Sequence, residues 1–419
     1  MLDILIKDGI IVTQNEKREI KKANIGIENG IIKYIGNDIL EAKKIINANN
    51  YIITPAFINS HIHFGEYYLR GYHGNINTEE YIELGEKFYK KFKEKNDSIR
   101  KSSIYNVVYE SIMSGSLTLM GVRGWPYVSN MPVNAFLGYP LMNSEKKGQY
   151  IENFENRFFQ LDNRNNTQYF IGLHSTKWVT EKTLIQLSNF LKANNNLKLT
   201  VHVCESKQEI EYVKNKYGVT PIELLHKYDL LNKNTLLIHC CYLNQQDVKL
   251  IKDNNSSVVA CFNSNLKLGN KCCNIIELLQ NNINVMIGTD GPATCDSLNI
   301  LDTAKTTSLI TRINEQTVFD MITVNPAKYL EINAGKIEKN YKADLLFFDK
   351  YSTGITYTNS IINNLIYLPD LKPIHIMKDG KMILDDEEFY RKAKKIKEQK
   401  LYYINYIEEN GSPNLKIFC

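Results

Sequence analysis

The stretch of sequence that decides the fold is Ile52-Ile-Thr-Pro-Ala-Phe-Ile-Asn-Ser-His-Ile-His-Phe-Gly-Glu-Tyr-Tyr-Leu-Arg-Gly71. An apolar run from Tyr51 to Ile58 leads into His61 and His63. Alternate side chains of a strand share a face, so these two imidazoles can point at one ligand. Neutral imidazole is a common zinc ligand, and the pair therefore predicts a metal site at the mouth of a buried strand. The alternative to a metal site is two structural histidines that form hydrogen bonds at the end of a strand. This alternative would be preferred if no further candidate ligands occurred later in the sequence.

The composition is that of an ordinary globular protein. The 419 residues are 43% hydrophobic and 23% charged, and roughly 250 residues are enough for a (β/α)8 barrel. The net charge of +5 is spread over scattered lysines, and no basic stripe with groove-reading elements is evident. We therefore expect no nucleic-acid partner.

The sequence also indicates a reduced compartment. The N-terminus lacks the basic start and long apolar core of a signal peptide, and no apolar run is long enough to span a bilayer. The eight cysteines include two adjacent pairs and no C-x-x-C spacing. This pattern argues against both a disulfide framework and a cysteine zinc site. We expect a cytoplasmic protein without a membrane partner.

Strand-like apolar runs alternate with helical patterns through the middle of the chain. Eight such runs, followed by helices, favour an α/β fold in which a closed parallel (β/α)8 TIM-like barrel is formed. A doubly wound open sheet is the runner-up, but its first turn should carry a Gly-rich loop where this chain has His-x-His. The predicted barrel strands are 52–58, 117–122, 135–138, 169–173, 197–203, 235–238, 257–261 and 285–288.

Both ends of the chain carry short strands with turn signals such as Asp8-Gly9 and Asn29-Gly30. Neither end has enough strands for a sheet of its own. We therefore predict one small β-sandwich domain built from residues 1–53 and 335–385, a hydrolase barrel over 54–334, and a C-terminal helix and tail over 386–419.

Histidines stand at the carboxyl ends of several of the predicted apolar strands. Catalytic residues of barrel enzymes lie at the carboxyl ends of the strands. Only eight histidines occur in the chain, and five of them stand at such ends. The candidate residues in chain order are His61, His63, His174, His202, His239 and Asp290.

Several motifs together resemble the amidohydrolase superfamily, and within it the branch of chlorohydrolases and aminohydrolases that act on nitrogen heterocycles. They are Thr54-Pro-Ala-Phe-Ile-Asn-Ser-His-Ile-His63, His202-x-x-Glu205, Ile238-His-Cys240, Asn263-Ser-Asn-Leu266 and Gly288-Thr-Asp-Gly291. The resemblance covers nearly the whole chain, including Val324-Asn-Pro-Ala327 on a late helix.

The resemblance implies one divalent metal, usually zinc and sometimes iron (Fe²⁺). Its ligands would be His61, His63, His202 and Asp290. His239 would either complete this set or hydrogen-bond the hydroxide on the metal. Asp290 would take a proton from the nucleophile, and Glu205 would carry a proton to the ring and then to the leaving group. A solvated acid at a helix start is the plainer interpretation of Glu205.

The residues expected to contact substrate depart from the branch. Glu66 and Arg70 follow the first strand, and His174 and Tyr242 follow later strands. The Leu69-Arg-Gly71 segment resembles the corresponding segment of adenosylhomocysteine and methylthioadenosine deaminases. Those enzymes have an apolar residue at the position of Glu66, and guanine deaminases have an amide side chain there. Glu66 could accept hydrogen bonds from an amino or ring N–H group, whereas a surface acid at the barrel rim is its plainer interpretation.

These observations predict a metal-dependent aminohydrolase that releases ammonia from a purine-like or pterin-like heterocycle by attack of metal-bound hydroxide. An adenosylhomocysteine or methylthioadenosine type of nucleoside deaminase and a chlorohydrolase are the alternatives within the branch. A barrel that binds but has lost activity is the alternative of another class. The partner is expected to be a small heterocyclic substrate, and the resemblance allows a homo-oligomer.

Overall fold

The computed structural model describes residues 1–71, 74, 76–91, 96–122, 127–142, 154–161, 166–352, 354–355, 360–368 and 371–383. These residues form two sheets, each with eight strands. The predicted C-terminal helix and tail over 386–419 lie outside the described residues.

The strands are, in chain order, β1 (Leu2–Val12), β2 (Ile20–Glu28), β3 (Ile31–Gly36), β4 (Ala42–Asn47), β5 (Tyr51–Pro55), β6 (Phe57–His63), β7 (Ser116–Val122), β8 (Asn134–Leu141), β9 (Thr167–Ser175), β10 (Leu199–Val203), β11 (Thr235–His239), β12 (Ser257–Ala260), β13 (Val285–Ile287), β14 (Leu345–Asp349), β15 (His375–Lys378) and β16 (Lys381–Met382).

The helices are α1 (Thr78–Lys91), α2 (Asn96–Met113), α3 (Phe154–Phe159), α4 (Glu181–Ala193), α5 (Lys207–Tyr217), α6 (Pro221–Lys227), α7 (Gln245–Asp253), α8 (Phe262–Lys267), α9 (Ile275–Gln280), α10 (Pro292–Cys295), α11 (Ile300–Thr311), α12 (Glu315–Asp320), α13 (Val324–Leu330) and α14 (Ile361–Tyr367). None of the helices in this described part combines the length and apolar character that crossing a bilayer requires.

Strands β6 to β13 lie side by side in chain order and pair in parallel, which confirms the predicted TIM-like barrel. Large apolar side chains from these strands fill the interior, including Met120, Phe136, Phe170 and Met286. Strands buried on both faces read as nearly continuous apolar runs, which is why their positions could be predicted from the sequence.

The barrel closes between its first and last strands at the ends that carry His61 and Asp290. The backbone N–H of Asp290 donates to the carbonyl of His61 at 2.9 Å. A Cβ atom on Gly288 would lie 2.7 Å from the backbone nitrogen of His61, so this approach requires glycine. The closing contact therefore brings the polar ends of β6 and β13 together.

The second sheet contains strands from both chain ends, as predicted. Its order is β16-β15-β14-β5-β1-β2-β3, and β4 pairs with β1 beside this path. β14 pairs antiparallel with β5, with Leu345 opposite Pro55 and Asp349 opposite Tyr51. A separate apolar cluster that includes Ile25, Ile53, Leu345 and Phe347 forms its core.

Two elements differ from the sequence prediction. The predicted single strand over 52–58 is two strands, because β5 belongs to the small sheet and β6 starts the barrel. Between them Ala56 donates its N–H to the carbonyl of Asp344 at 2.9 Å, outside either ladder. The apolar run is continuous across this break, so its periodicity could not reveal it. Strand β4 was not predicted, because its side chains are mostly exposed and include Lys43 and Lys44.

Candidate metal centre and catalytic site

Four side chains from three strand ends converge on one point. Nε2 of His202 lies 3.2 Å from Nε2 of His61 and 3.2 Å from Nε2 of His63. Oδ1 of Asp290 lies 3.3 Å from Nε2 of both His61 and His63. The structure thus brings together the four predicted metal ligands.

This spacing fits a metal ion. In a tetrahedron the ligand atoms are separated by about 1.63 times the bond length, so Zn–N bonds of about 2.0–2.1 Å predict separations of about 3.3 Å. Three imidazoles and a carboxylate also form a donor set that suits zinc or ferrous iron. Close packing of four such acceptors inside a protein is costly without a cation between them.

The backbone at the strand ends turns sharply to aim these groups. His61 and His63 share a face of β6, and His202 lies in β10. Asp290 and His239 have φ values of +69° and +75°, a region that non-glycine residues rarely adopt. Such strain at a site persists only where the surrounding contacts hold it.

Neighbouring groups fix the orientation of three of the four predicted ligands. Nδ1 of His202 donates to the carbonyl of His174 at 2.7 Å, and Nδ1 of His63 donates to Oε1 of Glu66 at 2.7 Å. Oδ2 of Asp290 accepts hydrogen bonds from Ser264 and Thr294 at 2.6 and 2.9 Å. Because Nδ1 carries the proton in both rings, Nε2 is left as the free lone pair for a metal.

Burial and charge place the ligands in their metal-binding protonation states. Burial lowers the pKa of His61 to about 4 and also lowers the pKa of His202 well below its usual value. Burial alone would raise the pKa of Asp290, but the His63 and His61 imidazoles outweigh it and hold that pKa well below its usual range. Neutral imidazoles and an ionised carboxylate are the forms that bind metal.

His239 and Glu205 lie together beside this cluster. The imidazole of His239 stacks on that of His202 with ring centroids 5.5 Å apart, and its Nε2 lies 3.9 Å from Oε2 of Glu205. The Asn265 amide nitrogen lies 3.1 Å from Nδ1 of His239. With the amide nitrogen donating to Nδ1, the ring proton lies on Nε2, which faces Glu205.

Glu205 is held as a weak acid. Burial, followed by the negative charge of Asp290, raises the pKa of Glu205 to about 8 before any metal charge is added. Its side chain hydrogen-bonds Thr78 at the start of α1. Its backbone N–H donates to Oε2 of Glu209 at 3.0 Å. A carboxyl group with such a pKa can both give and accept a proton near neutral pH.

Glu209 is a second buried acid, one helical turn after Glu205. Its Oε1 accepts a hydrogen bond from the Thr176 hydroxyl at 2.6 Å, and it lies in the first turn of α5. Burial raises the pKa of Glu209 to about 7, although both hydrogen bonds oppose this rise. The sequence prediction did not include this residue.

The residues predicted to contact substrate have contacts of their own within the protein. Both oxygens of Glu66 are engaged, one by His63 and the other by the Tyr81 hydroxyl at 2.5 Å. Arg70 donates to both oxygens of Glu110 on α2, at 2.8 and 3.1 Å. These contacts differ from the substrate contacts that the sequence predicts for Glu66 and Arg70.

His174 and Tyr242 are placed differently from each other. The His174 imidazole lies beside that of His202, with ring centroids 5.5 Å apart. His174 therefore contacts the predicted ligand His202 through both its ring and its carbonyl. The Tyr242 hydroxyl accepts a long hydrogen bond from the Lys271 N–H at 3.4 Å, and its side chain is half-buried.

The supporting roles of Ser264, Asn265 and Thr294 are not predicted by the sequence. Ser264 and Asn265 lie in the Asn263-Ser-Asn-Leu266 motif, on α8, and reach Asp290 and His239 respectively. The motif gave a signal, but it did not reveal which ligand each side chain supports. The His174 carbonyl has no sequence signal, because every residue carries one.

Comparisons with known proteins agree with this geometry. A family model described as the amidohydrolase family matches residues 52–383. A 5-methylthioadenosine/S-adenosylhomocysteine deaminase from Caldicellulosiruptor saccharolyticus is 26% identical, over 92% of this chain and 96% of that protein. A 5'-deoxyadenosine deaminase from Methanosphaera stadtmanae is 28% identical, over 92% of this chain and 94% of that protein.

A solved structure shares the fold. The atrazine chlorohydrolase from Arthrobacter aurescens TC1, complexed with zinc, superposes with a TM-score of 0.84 at 18% identity, covering 94% of this chain and 99% of that chain.

We expect one divalent metal for each chain, because the four converging ligands define one position. Elemental analysis of protein purified without chelator should find about one equivalent of zinc or iron. His202→Ala should lose most of this metal, whereas His226→Ala, which changes an exposed histidine on α6, should keep it. Two stoichiometric metals in the native protein would contradict the site.

We expect Glu209 to make the free energy of unfolding depend on pH. Because its folded pKa is raised from 4.5 to about 7, its stabilising contribution is complete below pH 4.5 and is lost as the pH rises to about 7. At about 1.4 kcal/mol for each pH unit, the loss amounts to ~3.5 kcal/mol at most. Glu209→Gln removes this titration. Urea unfolding of both proteins from pH 5 to 8 should show the native protein losing stability relative to the variant, and a constant difference would argue against the assignment.

Proposed function

This chain belongs to the amidohydrolase family, and we propose that it is a zinc-dependent deaminase that converts the 6-amino group of an adenosine-type nucleoside into a carbonyl. The observation that carries this proposal is the convergence of His61, His63, His202 and Asp290 with the weak acid Glu205 beside them. The named deaminases that match more than nine-tenths of this chain support the substrate class.

The reaction adds water to the amino-bearing ring carbon and expels ammonia. The water oxygen forms a bond to the ring carbon, and the bond from that carbon to the amino nitrogen breaks. One water proton ends on the departing ammonia and the other on the ring nitrogen. A bound divalent metal supplies Lewis acidity, which makes water nucleophilic at neutral pH.

Glu205 is suited to move the protons. Burial raises the pKa of Glu205, which favours its protonated form, and in that form it can donate to the ring nitrogen while the carbon is attacked. It then regains a proton from the attacking oxygen and passes it to the leaving amino group. Thr78 hydrogen-bonds the carboxyl group, and the hydrogen bond from the Glu205 N–H to Glu209 holds the backbone that carries it.

Asp290 and His239 are suited to hold the nucleophile. The ionised carboxylate of Asp290 can take the first proton from water and return it to Glu205 after ammonia has left, which restores both carboxyl groups. His239, whose ring is fixed by Asn265, points its Nε2–H toward the same region as Glu205 and can orient the attacking oxygen. Groups fixed before the reaction need no reorganisation as charge develops.

The contacts of Glu66 bear on the substrate. Substrates with N–H donors at the far ring edge, such as guanine or a pterin, would need an acceptor there. Both oxygens of Glu66 already accept a hydrogen bond within the protein, from His63 and Tyr81, which weakens the argument for such substrates. Adenosine-type nucleosides, the alternative from the sequence, are therefore our first choice.

An ammonia-release assay tests the substrate class. We expect turnover of 5'-deoxyadenosine, methylthioadenosine, adenosylhomocysteine or adenosine, with kcat/KM at least tenfold above that for guanine or pterin, because sites built around one hydrogen-bond pattern reject others by such factors. A preference for guanine or pterin would instead indicate a deaminase that acts on purine bases or pterins. Release of no ammonia from any of these by the zinc-loaded protein would contradict the proposal.

We expect Glu205→Gln to keep the fold and the metal but to lower kcat by about 10²–10⁴-fold, because an amide cannot transfer protons. Glu211→Gln, which changes an exposed acid on α5, is the matched control and should keep native activity. Steady-state kinetics with metal analysis of each preparation would measure this. Near-native turnover by a metal-replete Glu205→Gln enzyme would remove Glu205 from the mechanism.

A further inference from the structure

The carboxylate of Glu66 lies where it can act on the metal centre through a ligand. We propose that Glu66 and Tyr81 form a positioning pair that fixes His63 and strengthens its hold on the metal, and that Glu66 does not contact the substrate. The proposal rests on the metal centre of the proposed function.

The contacts form a chain from the surface helix to the ligand. The Tyr81 hydroxyl donates to Oε2 of Glu66 at 2.5 Å. Oε1 of Glu66 accepts from Nδ1 of His63 at 2.7 Å, and Nε2 of the same ring lies 3.3 Å from Oδ1 of Asp290. Each link is within hydrogen-bond or ligand-packing distance, so the ring cannot turn without breaking one of them.

A carboxylate in this position affects the ligand in two ways. It requires the proton of His63 to lie on Nδ1, so that Nε2 keeps its lone pair for the metal. Its negative charge also raises the electron density on the imidazole, which makes Nε2 a stronger donor. Among the four ligands, His63 has the most exposed side chain, at 18%, compared with 2% for His61. It is therefore the ligand whose orientation gains most from an added support.

The residues around Glu66 leave a space that its carboxylate fills. The side chain of Glu66 is only 10% exposed. A Cβ atom on Gly291 would lie 2.1 Å from Oε2 of Glu66 and 3.2 Å from Cβ of His63. Glycine directly after the ligand Asp290 thus creates the space that Glu66 fills.

Tyr81 connects this pair to α1. It lies in the first turn of the helix, where Thr78 also hydrogen-bonds Glu205. The same helical turn therefore supports a metal ligand through Glu66 and the proposed proton carrier through Thr78. The two supports are separate, because Tyr81 and Thr78 reach different acids.

Zinc affinity separates this role from a substrate contact. Metal-free native protein, Glu66→Gln, Tyr81→Phe and the control Glu83→Gln would be titrated with zinc against a chromophoric chelator at pH 7.5. Glu83 is an exposed acid on the same helix, so its change removes the same charge away from the site. Removing the partner of a metal-bound histidine typically weakens metal affinity by about 10–100-fold.

We expect Glu66→Gln to weaken zinc binding by about 10–100-fold, Tyr81→Phe by about threefold or more, and Glu83→Gln not at all. At saturating zinc, Glu66→Gln should regain activity with a KM within about twofold of native, as expected for a residue that acts only through the metal ligand. Native zinc affinity in folded Glu66→Gln, with a raised KM, would overturn the proposal and make Glu66 a substrate contact. If circular dichroism shows that Glu66→Gln does not fold, Tyr81→Phe decides, and native zinc affinity in that variant overturns the proposal.

The zinc titration uses no substrate, so it is independent of the deamination assay. A protein that releases no ammonia but loses zinc affinity in Glu66→Gln would refute the proposed reaction and support this inference. A native protein that binds no zinc would overturn this inference together with the metal centre.

Discussion

Three imidazole nitrogens and one carboxylate oxygen lie within 3.3 Å of a neighbour in a buried part of the barrel, and much of the structure serves this contact. Buried groups of this kind are stable only when they are paired or share a cation. The barrel meets that requirement by ending β6, β10 and β13 at one face, so that His61 and Asp290, which are 229 positions apart in sequence (290 − 61), face one another. The hydrogen bond from Asp290 to the His61 carbonyl makes barrel closure and site assembly the same event.

The groups around the ligands come from short helices and turns that follow the strands. α8 supplies Ser264 and Asn265, and the first turn of α1 supplies Thr78 and Tyr81. Ser264 hydrogen-bonds the predicted ligand Asp290, Asn265 hydrogen-bonds His239, and Tyr81 reaches His63 through Glu66. Precise positions near a reaction centre depend on such supports as much as on the reacting groups.

The barrel strands and the candidate site residues could be predicted from the sequence because each depends on short-range pattern. A strand buried on both faces is a continuous apolar run, and a histidine stands at its carboxyl end, as His202 does in β10 and His239 in β11. The choice of four metal ligands among these candidates came from the resemblance to the amidohydrolase superfamily. The break between β5 and β6 could not be predicted, since the apolar pattern does not change at Ala56. The contacts of Glu66 could not be predicted either. They depend on where α1 places Tyr81, fifteen residues later, whereas the sequence predicts a substrate contact for Glu66.

The small sheet can be completed only late in synthesis of the chain. β5 is complete once Pro55 has been made, but its partner β14 begins at Leu345, 290 positions later (345 − 55). At about 5–20 residues per second a ribosome needs roughly 15–60 s to reach it. During that interval β1, β2, β3 and β5 lack the side chains of Leu345 and Phe347 that complete their apolar core. The nascent chain therefore exposes an unpaired strand edge for tens of seconds, a period in which a chaperone that covers such edges would prevent aggregation.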